Sequence, residues 1–208
     1  MASNPFQVVR DFESALCEHT GAKYAVTVTS CTAALMLAVA WHLKVAMVHK
    51  VGLPDTRIWI PKHTYVSVPM SIIHGGGIPQ FDNRTWLGEY QLAPLLIWDS
   101  ARWFRRDMYR PGQFMCLSFH WTKQLAIGQG GAILHDDPEA DAWLRRARFD
   151  GRKEGMVPKD DMFSFVGHHC YMSPRDAAEG LSRLAVLKDS GPLPNDDYPD
   201  LSTFEVFK

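Results

Sequence analysis

The sequence predicts an α/β domain built on a mainly parallel sheet. Three features carry that expectation. Strand-like and helix-like segments alternate along most of the chain. The run Leu95–Trp98 (LLIW) shows no polar alternation, as expected of a strand covered on both faces. A β-branched strand also runs through a short polar turn straight into an apolar helix, first near residue 30 and again near residue 62.

Taken in order, residues 5–20 place Phe6, Val9, Phe12 and Leu16 at helical spacing, and Gly21 ends that helix. Tyr24–Thr29 alternates with β-branched residues and reads as a strand. Ser30-Cys31-Thr32 is a polar connector, and Ala33–Val51 a buried helix. Residues 57–60 form a strand, 61–65 a loop, and 66–74 a helix stopped by Gly75-Gly76-Gly77. Residues 79–81 read as a short strand, and Leu95–Trp98 as a strand ending at Asp99. Phe114–Phe119 is a further strand with Gly131–His135 as its hairpin partner. Residues 138–150 and 173–188 read as helices, the second with Ser173 as N-cap and Pro174 in its first turn. The Pro- and Asp-rich tail, 191–208, reads as an irregular arm after a domain spanning 1–190.

The chain has 208 residues, 46% hydrophobic and 22% charged, with a net charge of -1. That balance argues against a broad nucleic-acid footprint, which needs a basic face. Cysteines at 17, 31, 116 and 170 form no CxxC pair, so reduced thiols and a cytoplasmic location are expected. The first residues, MASNPFQVVRDF, lack the pattern of a signal peptide. The apolar window 33–51 is interrupted by His42, Lys44, His49 and Lys50 and is short for a bilayer, so no membrane contact is expected. His168-His169-Cys170 lacks the further ligands a metal needs, and no metal is expected. Arg145, Arg146 and Arg148 read as a solvated helix face, and the seven tryptophans as core and interface anchors. Gly128, Gly130 and Gly131 read as hairpin glycines rather than a dinucleotide fingerprint.

Open α/β sheets bind ligands at the carboxyl ends of their strands. Three such ends carry polar groups. Ser30-Cys31-Thr32 offers a hydroxyl and free amides at a helix N-terminus, a setting for phosphate. Asp99 closes an apolar strand, where a carboxylate is either paired with a cation or costly to bury. Ser118, His120, Thr122 and Lys123 follow the third. A phosphate cradle, a buried carboxylate and a lysine are the parts that hold pyridoxal phosphate. Each part alone has a plainer reading, as a cap or a solvated charge.

Five collinear stretches add a resemblance: FESALCEHTGAKYAVTVTSCTAAL, IWIPKHTYVSVPMSIIHGGGIPQF, IWDSAR, SFHWTKQLAIGQGGAIL and GHHCYMSPRDAAEGLSRL. Together they resemble the DegT/DnrJ/StrS family of PLP-dependent sugar aminotransferases, of fold type I, like aspartate aminotransferase. The resemblance implies the large domain of a PLP transferase, three-layered and reduced in size. It implies Lys123 as the Schiff-base lysine and Asp99 as partner of the pyridinium nitrogen. Cys31, Thr32 and Ser118 fall at phosphate-binding positions, Tyr65 at the aromatic stacked on the ring, and His120 beside them in the lysine motif. His169 falls where the family's partner subunit completes the phosphate site, which implies a homodimer with a shared active site.

Several positions depart from the family pattern. Arg102 stands where a Gln or His is usual, so its cation either depresses the pKa of cofactor groups or binds a substrate carboxylate. Cys31 replaces a glycine, and His169 and Tyr171 replace an Asn and an Arg. Residues 82–95 form a shortened linker, and the family's C-terminal small domain is expected to be missing after Leu187. The implied activity is a ping-pong aminotransfer from an amino acid such as glutamate to a keto acceptor, for instance a nucleotide-linked keto sugar. The lost surroundings leave two other readings open: a decarboxylation or elimination on a smaller substrate, and a degenerate non-catalytic subunit.

Overall fold

The structure is a computed structural model and describes residues 5–48 and 56–208. Helix α1 (Gln7–Thr20) ends at Gly21, which adopts φ 80° and donates its N–H to Cys17 O. Left-handed backbone of this kind suits a residue without Cβ. Strand β1 (Tyr24–Val28) leads to α2 (Cys31–Val48), β2 (Arg57–Pro61), α3 (Ser67–His74) and β3 (Ile78–Asp82). Then come β4 (Tyr90–Gln91), β5 (Ile97–Asp99), β6 (Phe114–Ser118), β7 (Gly131–His135), α4 (Pro138–Ala147) and α5 (Pro174–Leu184). Ser173 caps α5 by accepting from Asp176 N, and Asp137 caps α4.

One sheet has the order β1-β7-β6-β5-β4, and β2 and β3 form a second, parallel pair. An antiparallel bridge between Trp59 and Ala93 joins the two. Strands β1, β2, β3, β5 and β6 run one way, and β4 and β7 the other. The expected common direction therefore holds for most strands. Because β7 and β4 are interleaved, only β5 and β6 pair in parallel within the larger sheet.

Successive residues of a strand face opposite ways, and here both faces are covered. Val26, Val28, Cys116 and Ile133 pack toward α2, in a cluster with Leu35, Leu37 and Val39. Ala25, Met115, Leu117, Ala132 and Leu134 pack toward α1 and α5, with Val9, Phe12 and Leu16. The result is a three-layer α/β sandwich. Each large apolar side chain buried this way contributes about 1.5–3 kcal/mol.

Three expectations need correction. The Leu95–Trp98 run is not buried on both faces: Leu96 is 47% exposed, because β5 shortens to Ile97–Asp99 beside the two-residue strand β4. Helices α4 and α5 stop at Ala147 and Leu184, short of the expected 150 and 188. Arg148 is not part of a solvated face. It is 1% exposed and bonds Glu13 Oε1 at 2.5 Å, while Arg145 bonds Glu13 Oε2 at 2.6 Å. A charge removed from water needs a partner, and Glu13, on the inner face of α1, supplies it. The end of the expected 33–51 helix lies outside the described residues. Among those residues no helix is long and apolar enough to cross a membrane.

Candidate active site

The residues at the carboxyl ends of β1, β5 and β6 converge on one cavity of about 330 Å³, within the range of small-molecule sites. Its lining includes Cys31, Thr32, Tyr65, Asp99, Arg102, Ser118, His120 and Lys123. These are the candidate site residues drawn from the sequence, apart from His169. The four cysteines are free thiols, and among the described residues no His, Cys, Asp and Glu group could hold a metal.

The start of α2 forms one wall. Ser30 caps it, accepting from Ala33 N at 3.1 Å and, through its carbonyl, from Ala34 N at 3.0 Å. The amides of Cys31 and Thr32, ahead of the first helical acceptor, are orphan donors at the positive end of the helix dipole. Thr32 Oγ1 lies 2.8 Å from Ser67 Oγ, and Ser71 Oγ donates to Thr32 O at 3.1 Å. Helices α2 and α3 are thereby tied at the cavity edge. Gly131 lets β7 approach this corner: a Cβ there would meet Ser30 C at 2.5 Å and Cys31 N at 2.6 Å.

Asp99 forms the floor. It is 6% exposed, accepts from Ala101 N at 3.0 Å, and has Cys31 Sγ at 3.9 Å. Burial pushes its carboxyl above the ordinary value, against the pull of Ala101 N–H, Tyr90 and the cations Lys123 and Arg102. No cation lies within salt-bridge distance of it among the described residues. A buried carboxylate facing a cavity without such a partner suits a ligand that brings a cationic N–H.

Lys123 sits on the tight loop between β6 and β7, its N–H bonded to His120 O at 2.8 Å. Phe119 N bonds Gly130 O at 2.9 Å and Trp121 N bonds Gly128 O at 3.2 Å, closing the loop's base. Gly128 at φ 100° and Gly130 at φ 151° make that closure possible. Burial lowers the Lys123 pKa, and Arg102 adds to this, while Asp99, Cys31 and Asp196 work against it. The amine is thus more available in its neutral, nucleophilic form than a surface lysine. His120 Nδ1 lies 2.9 Å from Thr122 Oγ1 on the same loop.

The residues present fit pyridoxal phosphate. Orphan amides with Thr32 and Ser118 would take its phosphate, Asp99 its ring nitrogen, and Lys123 its aldehyde carbon. Tyr65, 57% exposed, lies at the rim of the cavity. His169 is not part of this cavity. Its ring is exposed, and Nδ1 lies 3.0 Å from Asp150 Oδ2.

Sequence reasoning missed four contributors. Tyr90 lies directly opposite Asp99 in the β4–β5 register, and its hydroxyl is 2.6 Å from Thr64 Oγ1. It belongs to the shortened linker 82–95, where β4 forms. Trp86, from the same linker, and Asp196 and Tyr198, from the C-terminal arm, also line the cavity. The arm folds back over it: Trp86 and Tyr198 stack at 14° with ring centres 6.2 Å apart. Asn195 Nδ2 donates to Trp86 O at 2.7 Å. Only long-range packing brings these residues here, so no local signal marks them.

The chain as a whole is similar to known proteins. The chain is 28% identical over 230 residues to the spore coat polysaccharide biosynthesis protein SpsC of Bacillus subtilis (strain 168), covering 87% of this chain and 57% of that protein. Among solved structures it is similar to AtS13 from Actinomadura melliaura, with a TM-score of 0.69 and 19% identity over 86% of this chain and 59% of that one. It also resembles PseC from Helicobacter pylori, an aminotransferase involved in the biosynthesis of pseudoaminic acid. That match has a TM-score of 0.67 and 17% identity, over 89% of this chain and 63% of that one. The chain thus spans less than two thirds of the length of each. The model of the DegT/DnrJ/EryC1/StrS aminotransferase family matches residues 3–87 and 101–190. The stretch it skips, 88–100, holds β4, β5 and Asp99, so the case for Asp99 rests on its geometry. With the two matched stretches covering most of its length in family order, the chain belongs to the DegT/DnrJ/EryC1/StrS aminotransferase family.

Proposed function

We propose that this chain is a PLP-dependent aminotransferase that moves an amino group from an amino acid such as glutamate to a keto acceptor. The observation that carries the reading is the meeting of Lys123, Asp99, Thr32 and Ser118 in one cavity beside the free N-terminal amides of α2. Pyridoxal phosphate, when bound, supplies an electron sink for the bonds around the substrate's amine-bearing carbon.

The chain's own groups do the rest. Asp99 would hold a proton on the ring nitrogen. The α2 amides, Thr32 and Ser118 would anchor the phosphate end beside Lys123. Lys123 Nζ, its basicity lowered by burial and by Arg102, would take the proton from the substrate's amine-bearing carbon and deliver it across the nitrogen in a 1,3-shift. Lining by Leu35, Val68 and Trp86 keeps the cavity partly dry.

The relatives named above, one concerned with spore coat polysaccharide and one with pseudoaminic acid, support a keto sugar as acceptor. Residues 1–190 form the cofactor domain in this reading, and 191–208 an arm. Two copies would share each site, with the partner's His169 reaching the phosphate. A cytoplasmic location accords with the free thiols.

Titration with pyridoxal phosphate tests the reading. Wild type should develop the visible absorption band of lysine-bound cofactor, and Lys123→Ala should not. Added glutamate should then convert the band to that of the aminated cofactor. A band indifferent to Lys123, or absent from wild type, overturns it. Release of carbon dioxide without the aminated form would point to decarboxylation instead.

A further inference from the structure

We propose that Arg102 is the receptor for a substrate carboxylate, and that Asp196 of the C-terminal arm is a resident stand-in which the substrate displaces. The inference rests on the amino-transfer reading of this cavity and names a charge that its substrate carries.

The argument begins with an asymmetry. Arg102 is only 8% exposed, whereas the Asp196 side chain is 66% exposed. Arg102 Nη1 donates to Asp196 Oδ2 at 2.9 Å and to Tyr198 Oη at 3.1 Å, and Nη2 donates to Pro194 O. Its Nε is buried with no acceptor among the described residues. A guanidinium is permanently charged, so in this setting it requires an anion. Asp196 loses little by leaving, since most of its carboxylate already faces water. An arriving carboxylate can replace it without stranding the buried cation. Asp196 Oδ1 accepts from Nη2 only at 3.4 Å and no described residue reaches Nε, so an arriving carboxylate can bond the guanidinium more fully than Asp196 does.

The position suits a reacting substrate. Arg102, Asp196 and Lys123 line the same cavity, and Asp196 lies close enough to act on the charge of Lys123. A carboxylate in its place would hold an amino acid or 2-oxo acid beside the lysine amine. The exchange does not require the arm to leave. Gln124 Nε2 donates to Ser190 Oγ at 2.8 Å and to Gly191 O at 2.9 Å. Beyond the contact, Lys62 pairs with Asp200 at 2.7 Å and Leu201 is buried. Asn195 and Tyr198 on either side stay held to Trp86, so the exchange needs only a rotation of the largely exposed Asp196 side chain.

The test is a calorimetric titration of the full-length protein with glutarate, with and without pyridoxal phosphate, and with neutral glutaramide as control. Wild type should bind glutarate and ignore glutaramide. Arg102→Gln should weaken glutarate binding by about tenfold or more, the loss of a charge-assisted pair. Asp196→Asn should tighten it by about tenfold, because a competing occupant has been weakened. Asp197 is adjacent, so the double variant Asp196→Asn/Asp197→Asn guards against its substitution. Equal binding by wild type and Arg102→Gln overturns the proposal. So does the absence of tightening in both Asp196 variants, or the absence of glutarate binding in all proteins. Arg102-dependent glutarate binding in a protein with no Lys123-dependent band would sink the amino-transfer reading alone. A normal band with glutarate binding indifferent to Arg102 and Asp196 would sink this inference alone.

Discussion

Cys31 Sγ and Asp99 Oδ1 face each other at 3.9 Å, a thiol and a carboxyl buried together at the base of the cavity. Burial pushes both groups toward their protonated forms, and the Asp99 carboxylate raises the Cys31 thiol further. Cys116, behind them in β6, is raised by burial as well. The site therefore holds a carboxyl whose ionised form no ion pair compensates. A bound cationic N–H would reverse that balance.

Asp99→Asn should separate stability from binding. The raised carboxyl holds its proton more tightly in the folded than in the unfolded state, so its ionisation at neutral pH works against folding. Asparagine keeps the acceptor for Ala101 N and removes the charge. Cofactor-free Asp99→Asn should be more stable than wild type by about 1 kcal/mol in urea denaturation at pH 8. The same variant should bind pyridoxal phosphate at least about tenfold more weakly. A variant that is destabilised and binds normally would refute the assignment.

Gly131→Ala probes the phosphate corner. The added methyl would fall 2.5 Å from Ser30 C and 2.6 Å from Cys31 N, backbone atoms that cannot rotate away. Destabilisation of about 1–3 kcal/mol is expected, together with weaker cofactor binding as the start of α2 shifts. Gly191→Ala, where nothing lies within 4 Å, is the control and should change stability by less than about 0.5 kcal/mol.

Glu13→Gln tests the buried ion cluster. Glu13 accepts from Arg148, Arg145, Arg10 and both Thr27 N and Thr27 Oγ1. Removing its charge leaves Arg148, which is 1% exposed, only the longer contact to Glu154 at 3.5 Å as a carboxylate partner. The loss should be about 3–5 kcal/mol by chemical denaturation. Glu179→Gln, which breaks an exposed pair with Arg183 at 2.5 Å, should cost less than about 1 kcal/mol.

His135 gives a pH signature. It is fully buried between the rings of Tyr24 and Phe114, and burial lowers its pKa from 6.5 to about 4. Below pH 6.5 the unfolded chain therefore binds a proton that the folded chain refuses. The stability this group contributes is present above pH 6.5 and is lost as pH falls toward about 4. Over that window wild type should lose up to about 3 kcal/mol relative to His135→Gln. Parallel stability curves for the two proteins would exclude this titration as the cause.

Much of the chain was legible from local pattern. The period of α1, the Gly21 cap, the Ser173 cap and the alternation of β1 depend on residues close in sequence, where steric and hydrogen-bond preferences act directly. The strand-end positions of Cys31, Asp99, Ser118 and Lys123 followed from the same segments, because a strand's polar terminus beside an apolar core is a local feature. What the fold alone decided was the company these groups keep. Leu96 and Trp98 look as apolar as Ile97, yet the two-residue strand β4 leaves Leu96 in water. Arg148 looks like its neighbours Arg145 and Arg146, and only the packing of α1 against β1 buries it on Glu13. Arg102 shows the limit most clearly. Its charge was plain from the sequence, but its partner lies 94 residues away, in the part of the arm (191–199) that precedes its short 3-10 helices and has no regular structure. Periodicity cannot encode such a contact, because it depends on chain closure through tertiary packing rather than on neighbouring residues.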